Sequence, residues 1–212
     1  MSFRFPSLAA AALLCASAAQ ADELRVCADP DNLPFSNAKG EGFENHIINL
    51  LAQGMGRTVT YVWTTERRAT AIEVMARGRC DVVPGAIAGA AGVMTTRAYM
   101  HSAYALVSRD DVRVTGFDDP QMKRLRIGVQ SVGDDAVTPP VEALLSRGLA
   151  GNLRPYTLHG NASDPNTAGG MVHAVAARDI DAAVLWGPFA GYYAARQDIA
   201  LNVVAVAAAP QD

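Results

Sequence analysis

Residues 24–83 alternate short strand-like runs with amphipathic runs of helix length, and few folds accept that order. Leu24-Arg-Val-Cys-Ala-Asp29 reads as a strand, which Pro30, Asn32 and Pro34 break. Between residues 43 and 55, Phe43, Ile47, Ile48, Leu50, Leu51 and Met55 recur at helical spacing, and Gly54 and Gly56 mark the end. Residues 58–63 alternate as a strand does, residues 69–76 form a second amphipathic helix stopped at Gly78, and residues 80–84 read as a short buried strand. Strands joined by helical crossovers run parallel, so the sheet needs cover on both faces. The expectation is an α/β lobe.

The order recurs downstream. Leu125-Arg-Ile-Gly-Val129 opens a second set, followed by a helix over 141–149 with Pro140 at its start, a strand over 153–158, a helix over 171–177, a strand over 181–186 and a helix over 189–196. Ala103-Tyr-Ala-Leu-Val107 is strand-like, and residues 109–119 carry no apolar run longer than two. The first lobe is therefore placed at 22–108, a polar connector at 109–123 and the second lobe at 124–206. Two lobes on a connector enclose a cleft, where small ligands bind.

Residues 1–21 read as a cleaved secretory leader: Arg4, an apolar run from Leu8, then Ala19-Gln-Ala21 before Asp22. The run is too short to span a bilayer, and no later stretch approaches the length of a membrane span. Cys15 leaves with the leader, so Cys27 and Cys80 remain as an even pair in an oxidising compartment. They are expected to form a disulfide, two buried thiols being the alternative. A zinc site would need further ligands at metal spacing, and none is present.

The chain has 212 residues, 50% of them apolar and 18% charged, with a formal net charge of -3. That is globular composition, and it provides no basic footprint for a nucleic acid. Catalytic constellations are not evident either. Ser131 lies outside any G-x-S-x-G elbow, and His46, His101, His159 and His173 are scattered. Asp134-Asp135 reads more readily as a hydrated turn than as an acid and base pair. Asp29, Asp31 and Asn32 suggest the opening of a calcium loop, but Leu33 and Gly40 occupy positions that need oxygen ligands. The glycines of residues 85–92 lack the Lys-Ser/Thr of a phosphate loop. The reading is a protein that is not an enzyme and needs no metal or cofactor.

The runs Val26-Cys-Ala-Asp-Pro-Asp-Asn-Leu-Pro-Phe-Ser36, Gly42-Phe-Glu-Asn45, Gly78-Arg-Cys-Asp-Val-Val83, Ile127-Gly-Val-Gln130, Val132-Gly-Asp-Asp135, Thr138-Pro-Pro140 and Trp186-Gly-Pro188 resemble those of a type II, family 3 periplasmic solute-binding protein. More closely they resemble the quinoprotein-dehydrogenase-associated branch, of MxaJ/XoxJ type, over residues 24–206. The resemblance implies a two-lobed α/β fold. It also implies a return strand and helices that finish the first lobe, and residues 207–212 are expected to be the truncated start of that return.

In the family's amino-acid binders an arginine of the first lobe grips the ligand carboxylate and an acid of the second lobe grips its amine. Those places fall near Gly92 and on Trp186, so both charges are missing. The cleft is expected to be lined by Asp29, Asn32, Phe35, Gly85, Ala86 and Arg97 from the first lobe, and by Gln130, Gly133, Asp134, Trp186 and Pro188 from the second. Arg97 has the alternative of a surface residue, and Trp186 that of a core anchor. The resemblance implies a periplasmic accessory role beside a pyrroloquinoline-quinone-dependent alcohol (methanol) dehydrogenase and its cytochrome c. The alternative is a receptor that delivers a small solute, other than a typical amino acid, to an ABC importer.

Overall fold

The computed structural model describes residues 22–64, 68–131, 137–157 and 167–206. The expected leader, the segment 207–212, Gly133 and Asp134 lie outside the described residues. In the first lobe, β1 (Glu23–Ala28) pairs in parallel with β4 (Thr58–Trp63), and the register runs from Glu23 opposite Thr58 to Ala28 opposite Trp63. The helix between them, α1 (Phe43–Met55), lays Ile48 and Ala52 on Leu24, Val26 and Ala28. A second helix, α2 (Arg68–Ala76), covers the opposite face, where Val74 and Met75 pack around Cys27 and Cys80. The two cysteines are joined, with Cα atoms 5.7 Å apart.

The strand expected over 80–84 is reduced to one parallel bridge, Val26 with Val82. Pro84 has no amide to continue a ladder, and Gly85 turns away in the left-handed region at φ +69°. Between β1 and α1 the chain makes a small antiparallel pair, β2 (Asp31–Asn32) with β3 (Ser36–Asn37). Its carbonyls at Pro34 and Phe35 accept the first amides of α1, from Phe43 and Glu44, and thereby cap that helix.

The second lobe is a five-stranded mixed sheet: β5 (Tyr104–Arg109), β6 (Ile127–Ser131), β7 (Leu153–Thr157), β8 (Ala182–Trp186) and β9 (Leu201–Val206), in the order β7-β6-β8-β5-β9. One face packs on α3 (Pro139–Leu145), the other on α4 (Ala168–Ala176) and α5 (Gly187–Ala194). Two expectations are corrected here. Strand 104–109 does not close the first lobe; it runs antiparallel between β8 and β9. Leu106 enters one core layer of the second lobe while Ala105 and Val107 enter the other, as a central strand requires. Nor is 109–123 a free connector, because its isolated apolar residues Val114, Phe117 and Met122 are buried in that lobe. Strand β9 was not anticipated.

The same ionic clamp is built twice. Arg25 at the start of β1 donates from its backbone and guanidinium to Asp81, and from the guanidinium to the carbonyl of Gly78. Arg126, just before β6, does the same with Asp181 and the carbonyl of Arg178. Gly78 and Arg178 share a left-handed backbone, at φ +71° and +69°. The arginine hydrogen bonds hold both carboxyls below the ordinary carboxylate range. Each therefore favours the folded state above that range, and the contribution fades as pH falls through the folded value.

Asp181 also lies 3.6 Å from the guanidinium of Arg109, which is 4% exposed and donates to the carbonyls of Val175 and Ile180. Asp181→Asn is expected to lower stability by about 2 kcal/mol at neutral pH, because a buried guanidinium loses a counterion but keeps its carbonyls. Urea unfolding at pH 7 and pH 3 checks this, the gap between wild type and variant narrowing at the lower pH.

Candidate functional site

The carboxyl ends of parallel strands are where ligands meet open α/β sheets. In the second lobe the relevant ends are those of β6 and β8, which are hydrogen-bonded neighbours. Gln130, on β6, is 5% exposed, and its Oε1 accepts the amide of Trp186 at 3.2 Å. Its Nε2 is buried without a partner among the described residues. Trp186 ends β8 and is the N-cap of α5, where Pro188 occupies the first turn with the fixed φ that position favours. Opposite it in register stands Tyr104 of β5, its ring edge-on to the indole at 5.3 Å. Burial raises the Tyr104 hydroxyl above its ordinary pKa, so it stays a neutral donor.

First-lobe segments reach this end of the second lobe. The ring of Phe35, 1% exposed, sits 5.1 Å from both Phe43 of α1 and Phe189 of α5. The Tyr193 hydroxyl donates to the carbonyl of Leu33. Within the second lobe, the amide of Gly187 donates to the carbonyl of Ala103, continuing the β5–β8 pairing past Tyr104 and Trp186. A Cβ at Gly187 would stand 2.7 Å from that carbonyl oxygen, so only glycine allows the approach.

The expected residues divide accordingly. Gln130, Trp186 and Pro188 are brought together. Phe35 touches α5 as a buried interlobe contact. Asn32 is half-buried in the β2–β3 pair, and Asp29 accepts the Asp31 amide on Oδ1 while its carbonyl accepts the Ser36 hydroxyl. Gly85 and Ala86 are half-buried on the loop after Val82. Arg97 is exposed. Tyr104, Phe189 and Tyr193 were not foreseen, although Phe189 and Tyr193 stand four apart on one helix and so share a face. A depression of about 310 Å³ on the second lobe, lined by Phe117, Asp118, Met122, Lys123, Arg147 and Leu149 among others, includes none of the expected cleft residues.

No protein-family model matches the chain. Among solved structures, the periplasmic binding protein XoxJ from Methylobacterium extorquens AM1 superposes with a TM-score of 0.70 at 33% identity, covering 88% of this chain and 79% of that one. The chain belongs to the XoxJ-type family of periplasmic binding proteins. MxaJ from Methlophaga aminisulfidivorans MPT shares the fold at a TM-score of 0.69 and 24% identity, over 87% of this chain and 77% of its own. Protein MoxJ of Paracoccus denitrificans is 43% identical over 110 residues, which are 50% of this chain and 40% of that protein. The match thus spans less than half of that curated relative. The XoxJ-type chain described here has the two-lobed α/β architecture of type II periplasmic binding proteins, and no helix among its described residues is long and apolar enough to cross a membrane.

Proposed function

We propose that the chain is a non-enzymatic periplasmic accessory protein of a pyrroloquinoline-quinone-dependent alcohol dehydrogenase system, exported through its leader and lacking a cofactor of its own. The observation that carries this reading is the 33% identity to XoxJ across 79% of that protein. The chemistry of the cleft agrees with it. Trp186, an indole, takes the place that the resemblance gives to the acid gripping an amine, and Arg97 is solvent-exposed, so among the described residues neither ionic grip for a free amino acid is found at its expected place. The dehydrogenase and its cytochrome c are the proposed partners, methanol being the class of alcohol. The proposed cleft combines Asp29, Asn32, Gly85, Ala86, Gln130, Gly133, Asp134, Trp186 and Pro188. Co-purification from the periplasm of the native host tests the reading: stoichiometric recovery of the dehydrogenase, or a change in its turnover on adding the pure chain, is expected. Neither effect, with folded protein, overturns it.

A second reading, a small-solute receptor for an importer, is favoured by the unpaired Gln130 donor. A co-purified small molecule seen by mass spectrometry, released when the lobes open, is its expected sign.

A further inference from the structure

We propose that the depression on the second lobe is a binding site, separate from the interlobe cleft, for a small monocarboxylate with a short apolar tail. It does not depend on the accessory reading. Asp119 starts the short helical turn Pro120–Arg124 by accepting the Gln121 amide, which sends Met122 into the core and leaves Lys123 on the rim. On the other side Gly148, left-handed at φ +72°, ends the run after α3, and the Leu149 amide returns to the Leu144 carbonyl. Leu149 thereby enters the same core while Arg147 stays exposed. Phe117, Met122 and Leu149 form an apolar floor fixed by the packing of the lobe, and the depression above them opens to solvent. Its volume of about 310 Å³ is at the small end of ligand pockets, which limits the tail to a short chain.

The head group follows from which polar groups are still open. Both oxygens of Asp118 accept from Arg147, at 2.7 Å from Nε and 3.2 Å from Nη2, and those of Asp119 accept the amides of Gln121 and Thr115. The acceptors are engaged, and the donors are in excess. A guanidinium has five N–H bonds. Arg147 gives two to Asp118 and one to the carbonyl of Ala143, so one on each Nη remains for a further acceptor. Those bonds, with the Phe117 ring centre 5.8 Å from the guanidinium carbon, hold the fork in place before any ligand arrives. Lys123 forms no ion pair among the described residues. A carboxylate therefore meets two spare donors and an unpaired ammonium. An ammonium meets only engaged carboxylates, and an alcohol gains no ionic bond.

Calorimetry on the full chain compares hexanoate with acetate, hexanol and hexylammonium. Hexanoate is expected to bind at least about tenfold more tightly than each, since acetate lacks the tail and the other two lack the charged acceptor. Arg147→Met keeps an apolar cover for Phe117 and removes the donors, so it is expected to weaken hexanoate by at least about tenfold. In the wild type the Nε–H resonance of Arg147, assigned by through-bond transfer, is expected to shift saturably with hexanoate and not with hexanol, which decides the matter if R147M does not fold. No hexanoate binding up to about 10 mM, equal affinities, undiminished binding by folded R147M or an unshifted Arg147 resonance each overturn the proposal. Dehydrogenase capture is a separate readout, so either conclusion can fail without the other.

Discussion

Replacing Cys27 and Cys80 together with alanine lowers the unfolding free energy by about 4 kcal/mol, the chain-entropy value for a loop of 53 residues. Both sulfurs are buried, at 1% and 3% exposure, within the layer between β1 and α2. The pair ties the middle of β1 to the segment that follows α2, where one bridge replaces a full strand pairing. Few backbone hydrogen bonds hold that edge, so the covalent link carries a large share of first-lobe stability. Urea unfolding of the double variant, and of wild type under reductant, is expected to show equal losses. A loss below about 1 kcal/mol would mean that the loop is already confined in the unfolded chain.

Gly42→Ala is expected to cost about 3 kcal/mol, the upper range for forced overpacking. The backbone there is ordinary, at φ −73°, so the cause is space and not conformation. An added Cβ would stand 2.0 Å from the Phe35 carbonyl oxygen, the atom that accepts the Glu44 amide at the start of α1. Relieving the clash pushes residues 33–37 off α1 and with them the Phe35 contact to Phe189. Gly54→Ala, twelve positions along the same helix, meets no atom within 4 Å and is expected to stabilise by about 0.5–1 kcal/mol through helix propensity alone. Thermal melts of the two variants should therefore move in opposite directions.

Local periodicity made most elements legible. The spacing of residues 43–55 and the alternation over 58–63 match the bounds of α1 and β4 to the residue, although α1 buries Glu44, Asn45, Ile48 and Ala52 and leaves Ile47, Leu50, Leu51 and Met55 of that apolar set exposed. What failed was the assignment of elements to lobes. Residues 104–109 look the same whether they finish one sheet or sit inside the next, and only long-range pairing with 182–186 and 201–206 decides between them. Residues 109–123 read as solvated because Val114, Phe117 and Met122 stand singly among polar residues, yet each is an anchor. At the proposed site, Gln130, Trp186 and Pro188 were expected from motif and strand-end position, and the structure sets the first two in hydrogen-bond contact. The aromatic contacts of Tyr104, Phe189 and Tyr193 depend on tertiary approach and left no pattern beyond the helical spacing of the last two.

The twofold arginine–aspartate clamp yields a usable search pattern. Leu-Arg-Val at 24–26 with Asp-Val at 81–82, and Leu-Arg-Ile at 125–127 with Asp-Ala at 181–182, place the acid 56 and 55 residues after the arginine. A sequence scanned for that separation would reveal where each half-fold begins and ends, even when the strands between are too short to recognise.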